Sequence, residues 1–133
     1  MTVLIDSDLT ISGLNGRPDA VKVWTDLADQ GLAVSVVTVG EVLDGAYGSV
    51  NSADKIAAIW LFLSGVRVID VTLAVVDDFA QLRSALRRQG TLIPDLDLLI
   101  AATARVHNLT LVTRNVRHFT RIPDLRLYQP SDG

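Results

Sequence analysis

An α/β fold with a mostly parallel central sheet is predicted from three observations. Short, continuous, β-branched apolar runs alternate with longer segments of helical periodicity, and turn residues separate them. Strands alternate with helices along the chain, a pattern that calls for right-handed crossovers with helices on both faces. The expectation is therefore a three-layer α/β/α sandwich. A length of 133 residues is close to the commonest domain size, so one domain over 1–133 is expected.

The elements follow in order. Val3-Leu4-Ile5 is an apolar run ending in Asp6-Ser7-Asp8, read as a buried strand meeting a loop. Asn15-Gly16 and Pro18 mark a turn, and Asp19 to Gln30 is a helix with Val23 and Leu27 on one face, closed by Gly31. Ala33 to Val37 is a second buried strand. Thr38 to Tyr47 is a helix, with Thr38 as N-cap and Glu41 three residues on, at the capping-box position. Ser52 caps a helix to Ser64, and Gly65 stops it. In it Ile56, Ile59, Trp60 and Leu63 follow core spacing, which leaves Leu61 and Phe62 off the stripe as contact candidates. Val66 to Val71 is a strand; Thr72 caps a helix to about Arg88, ended by Gly90. Pro94 and an N-capping Asp95 open a helix from Leu96 to His107, followed by the strand Thr110 to Val112. Pro123 precedes a last strand, Arg126 to Tyr128.

Composition excludes several classes. With no cysteine there is neither a disulfide framework nor a thiolate metal site, which agrees with a cytoplasmic location. The densest apolar run, Ile56 to Leu63, is far shorter than the ~20 residues that span a bilayer. MTVLIDSD lacks the basic segment of a signal peptide. A net charge of −3 argues against non-specific nucleic-acid binding, but its distribution is uneven. Residues 1–66 carry 3 basic and 8 acidic side chains; residues 67–133 carry 9 basic, all arginine, and 7 acidic. An acidic pocket beside an arginine-bearing surface suits a metal-bridged phosphodiester; solvated helix faces give the same count. Apolar residues make up 49%, so some apolar surface must be exposed, and an oligomer or a bound partner is expected.

The chemistry lies in where the acids fall. Asp6 directly follows the first strand. Glu41 and Asp97 sit near the starts of helices, and Thr113-Arg114-Asn115 leaves the end of the LTLV strand. In an open α/β sheet these positions all belong to the carboxyl edge of the strands, where ligands bind. Each acid has a structural alternative: an Asx turn for Asp6, a capping box for Glu41, helix-dipole compensation for Asp97. Glu41 is nevertheless the sole glutamate among 15 acidic residues. Three acids gathered on one edge repel one another without a cation, and a hard ion such as Mg²⁺ takes carboxylates, waters and phosphate oxygens.

These residues also carry a resemblance. VLIDSD, VVTVGEVLDGA, and DLDLLIAATA followed by LTLVTRNVRHF resemble the PIN-domain ribonucleases, specifically the VapC-type toxins of toxin–antitoxin pairs, over nearly the whole chain and in the same order. The resemblance implies an α/β/α sandwich that cuts RNA with Mg²⁺ or Mn²⁺, forms homodimers, and is inhibited by a small VapB-type antitoxin whose tail covers the site. By position it implies Asp6, Glu41 and Asp97 as the acidic ligands. Where the family often has a fourth acid this chain has Asn115, which puts a second tightly held metal in doubt. On this reading Asp6 and Asp97 hold the metal and Glu41 orients or deprotonates the attacking water. Asn115 positions water or phosphate, and Arg114 and Arg117 contact the RNA backbone; His118 either assists or, as a helix-end histidine beside Phe119, is structural.

Two alternatives differ in class. VLIDSDLT also fits the first motif of haloacid-dehalogenase-type phosphatases, with Asp6 as nucleophile and Asp8 as general acid. That reading needs LAVVDD on a strand after a lysine, yet the segment has helical periodicity and the only lysines are Lys22 and Lys55. The other alternative is a PIN-like scaffold that binds without cleaving.

Overall fold

The structure is a computed structural model, and it describes residues 2–130. Five strands form one sheet: β1 (Val3–Ile5), β2 (Leu32–Ser35), β3 (Arg67–Ile69), β4 (Thr110–Val112) and β5 (Leu127–Tyr128). Their order is β3-β2-β1-β4-β5, and every pairing is parallel. The helices are α1 (Ser7–Leu14), α2 (Pro18–Leu27), α3 (Val36–Tyr47), α4 (Ser52–Leu63), α5 (Leu73–Gln89), α6 (Asp95–Val106) and the single-turn α7 (Val116–Phe119). The three-layer reading and the parallel sheet are both observed.

Period-two alternation along the strands builds two cores. Leu4, Ala33 and Leu111 point to one face, where they meet Val75, Leu82 and Leu86 of α5 and Leu98, Ala101 and Ala102 of α6. Val3, Ile5, Val34 and Val112 point to the other and meet Leu9, Ala20 and Leu27. Helix α3 straddles the sheet edge, with Val37 packed on the first core and Val39 on the second. Chain order reverses across β1 and β4, so the carboxyl ends of these two neighbours form the crevice in which such sheets bind ligands.

Several local expectations are corrected. Asp6-Ser7-Asp8 is not a loop: Asp6 takes extended backbone angles (φ −72°, ψ 171°), its Oδ1 accepts from Leu9 N at 2.9 Å, and α1 begins at once. A carboxylate capping its own chain supplies the start signal for α1. The second strand stops at Ser35, because the Ser35 hydroxyl caps α3 by accepting from Val37 N at 3.0 Å. Thr38 is therefore a buried residue inside the helix rather than its cap. Glu41 is the sixth helical residue, outside capping-box range. Asn51, not Ser52, occupies the cap position of α4. Asp95 is the first residue of α6 and not its cap, and its Oδ1 accepts from Arg83 Nε at 2.8 Å. Helix α2 ends at Leu27 and tightens into a 3₁₀ turn, Ala28–Gln30. The third and fifth strands are shorter than predicted.

The α4 stripe is also revised. Ile59 is buried, and Ile56 and Leu63 are half-buried, but Trp60 is 56% exposed. Phe62 instead packs inward, with its ring 4.8 Å from that of Trp24. Leu61, 76% exposed, is free for a contact as expected. The cap of α5 by Thr72 and the left-handed Gly90 that ends it (φ 70°) are as predicted.

Candidate active site

The site is built outward from Asp6. Its backbone N–H donates to Val112 O at 3.1 Å, continuing the β1–β4 ladder by one residue. Thr113, the residue after β4, is consequently abreast of it, and the Thr113 hydroxyl donates to Asp6 Oδ2. The Thr113 oxygen itself accepts from Asn115 N at 2.9 Å, so its proton is directed at the carboxylate. Asp6 is only 4% exposed. Burial pushes its carboxyl up to about 6, against the opposing hydrogen bonds from Thr113 and Leu9. The nearby charges of Asp8 and Asp97 push in the same direction as burial.

Glu41 and Asp97 come from different helices. Glu41 lies half-buried on α3, and its Oε1 accepts from Ser7 Oγ at 2.6 Å. Asp97 is the third residue of α6, where a negative charge is favoured by the helix dipole. Its Oδ2 lies 3.0 Å from His118 Nδ1. The same Nδ1 lies 3.0 Å from the Asn115 side-chain amide. One ring nitrogen cannot serve both as donor and as acceptor; the carboxylate is the stronger acceptor, so Nδ1–H donates to Asp97. The oxygen of the Asn115 amide then faces the ring.

Ser7 thus links Asp6 to Glu41 by one peptide bond and one hydrogen bond, and Asp97 acts on Asp6 through its charge. Glu41 and Asp97 each give one oxygen to a neighbour, and the other is not engaged by any of the side-chain bonds described. As they stand, no three His, Cys, Asp or Glu side chains among the described residues lie close enough to enclose one ion. The donor chemistry nevertheless fits a hard divalent cation: oxygen ligands only, with a buried carboxyl whose charged form is penalised in a way a cation would relieve.

Arg114 and Arg117 are both exposed beside the site, but the Arg114 guanidinium is paired with Asp19 at the start of α2. His118, left open between an assisting and a structural role, touches Asp97 across 21 residues of chain. Ser7, Thr38 and Thr113 were given no role at the site. Thr113 had a legible signal, since it ends β4 as Asp6 ends β1. Asp8, the general acid of the phosphatase alternative, is exposed, and LAVVDD forms the start of α5 rather than a strand.

Comparison with known proteins agrees with this geometry. The sequence pattern of the PIN domain matches residues 3–125. Ribonuclease VapC2 of Rickettsia felis is 30% identical over 129 residues, 96% of each chain. The tRNA(fMet)-specific endonuclease VapC of Shigella flexneri is 32% identical, covering 92% of this chain and 93% of that one. Among solved structures, VapBC2 from Rickettsia felis bound to a promoter DNA fragment superposes with a TM-score of 0.89 at 30% identity. It covers 97% of this chain and 98% of that one. The DNA-bound VapBC of Salmonella typhimurium gives 0.90 at 27%, over 98% and 99%. A parallel five-stranded sheet with acids at its switch point, matched along almost its full length by these sequences and structures, places the chain in the PIN-domain family, among the VapC-type ribonucleases.

Proposed function

We propose that this ribonuclease is the toxin of a toxin–antitoxin pair and hydrolyses RNA phosphodiester bonds with Mg²⁺ or Mn²⁺ held by Asp6 and Asp97, with Glu41 close by. The observation that carries the reading is the Asp6 carboxyl, buried at the sheet's switch point with its charged form disfavoured by desolvation and by two neighbouring acids. An uncompensated arrangement of this kind is costly to a fold and useful to a cation site.

When bound, the metal supplies positive charge against the phosphate oxygens and a more acidic water. The chain's own residues do the rest. Thr113 and Leu9 N fix the two oxygens of Asp6, and His118 fixes one oxygen of Asp97. Glu41 orients the attacking water and takes its proton. Asn115, 3.0 Å from the His118 ring, steadies that ring and positions a water or the phosphate. Arg117 contacts the RNA backbone directly; Arg114 does so after release from Asp19.

A VapB-type antitoxin is the proposed partner. A cavity of about 220 Å³ lies between α1, α3 and α4, lined by Ile11, Leu14, Val42, Ala46 and Ile59 with Lys55 at its margin. Val42, the residue after Glu41, lines it, and it suits an apolar side chain of a segment lying over the site. Exposed Trp60 and Leu61 on α4, with Val36 and Val68 nearby, offer further apolar surface for a homodimer or the antitoxin. No helix among the described residues is long and apolar enough to cross a membrane, and action in the cytoplasm is part of the proposal.

The test is sequencing of RNA ends after induction of wild type beside Asp6→Ala. Discrete new ends with wild type and none with Asp6→Ala are expected. The same ends in both strains would refute the assignment of the acids.

A further inference from the structure

A two-hydroxyl relay lies behind Glu41. Ser7 Oγ donates to Glu41 Oε1 at 2.6 Å, so its single proton is committed to the carboxylate. Ser7 Oγ is also 2.9 Å from Thr38 Oγ1. With the Ser7 proton spent, that contact can only be Thr38 donating to Ser7. The chain of bonds therefore runs Thr38 to Ser7 to Glu41 in one direction, and each bond polarises the next. Thr38 and Ser7 are 1% and 6% exposed, so neither is free to turn to solvent.

The relay starts and ends on α3, since Thr38 and Glu41 are three residues apart and share a face. The bridging hydroxyl comes from α1, next in sequence to Asp6. Asp6 caps α1 with its side chain and thereby fixes the direction of Ser7 as the first helical residue. Glu41 is on a long, half-exposed side chain with three rotatable bonds, and Ser7 is the group that holds its head.

We infer that Ser7, kept in register by Thr38, is a positioning residue for Glu41: it holds Oε1 so that Oε2 faces the attacking water. This rests on the metal-dependent reading above, with Glu41 as the water-orienting base. Ser7 touches neither substrate nor metal. Its loss frees the Glu41 head to sample other rotamers and leaves Asp6 and Asp97 as they are.

The test compares Ser7→Ala, Ser7→Thr, Thr38→Val, Glu41→Gln and the double variant Ser7→Ala/Glu41→Gln. Readouts are kcat and KM for an RNA substrate, Mn²⁺ affinity by calorimetry, and melting temperature. For Ser7→Ala, kcat is expected to fall by about ten- to a hundredfold, the usual effect of removing such a support. KM and Mn²⁺ affinity stay within about threefold. Ser7→Thr, which keeps the hydroxyl, restores kcat to within about threefold. On the Glu41→Gln background Ser7→Ala adds no further loss, because there is no longer a base to orient. If Ser7→Ala fails to fold, Thr38→Val carries the test from the other end of the relay, with a smaller fall in kcat expected. A Ser7→Ala enzyme with wild-type kcat, a loss that multiplies with that of Glu41→Gln, or a tenfold drop in Mn²⁺ affinity would each overturn the inference. Wild-type protein that cleaves no RNA with Mg²⁺ or Mn²⁺ would overturn the metal-dependent reading instead, so the two failures are separable.

Discussion

Asp6 does two jobs at one position, capping α1 and accepting from Thr113, and it feels the charges of Asp8 and Asp97. Its carboxyl is raised from an ordinary 3.8 to about 6, so without metal its ionisation opposes folding. The contribution of this group to stability is complete below about pH 4 and is lost as pH rises through 6; at neutral pH the deficit is ~3 kcal/mol. Asp6→Asn keeps an acceptor for Leu9 N and a partner for Thr113 but removes the charge. In urea titrations of metal-free protein it is expected to be more stable than wild type at pH 7.5 by up to ~3 kcal/mol, and no more stable at pH 4. Equal stabilities at pH 7.5 would mean that Asp6 is not penalised there. That Asp6, Glu41 and Asp97 lie toward one edge of the sheet was legible from residue type and chain position together. The contact of His118 with Asp97 was not, since it depends on how α7 is set against α6, and sequence spacing does not carry that.

Among the elements, α1 and the single-turn α7 were missed, and the first residue of α1, Ser7, makes the bond to Glu41. SDLTISGL has buried Leu9, Thr10 and Gly13, a stripe too small and polar to stand out as apolar periodicity. Gly13 is buried for a reason. A Cβ there would lie 2.0 Å from the Trp24 ring, so the glycine makes room for Trp24, which in turn stacks on Phe62. Gly13→Ala is expected to displace that ring and cost about 1–3 kcal/mol, seen as a lower melting temperature with altered tryptophan fluorescence. Gly40→Ala, in open space on α3, should instead stabilise by about 0.5–1 kcal/mol. If the two substitutions behave alike, the Trp24 packing is not what constrains Gly13. The misplaced start of α3 has a similar origin. Both Ser35 and Thr38 are competent caps by type, and only the length of β2, set by pairing with β1 and β3, selects Ser35.

For the whole molecule, the alternation of strands and helices was enough to predict parallel layers, and the order β3-β2-β1-β4-β5 then follows from one long crossover through α5 and α6. That crossover brings Thr113 beside Asp6 across 107 residues of chain, and it carries Asp97 toward the same crevice. The sequence left the surface unreadable: Trp60 and Phe62 exchanged their expected places because α4 packs on α3 rather than squarely on the sheet, which turns Phe62 toward Trp24 and Trp60 outward. Whether the acids at the crevice hold a catalytic metal is measured most directly by the cleavage rate of a labelled RNA by purified, partner-free protein in Mn²⁺, for wild type and Asp97→Asn. The account predicts cleavage by wild type that stops on chelation of the metal, and a rate for Asp97→Asn lower by about a hundredfold or more. Cleavage that persists in chelator, or an Asp97→Asn protein as fast as wild type, would contradict it.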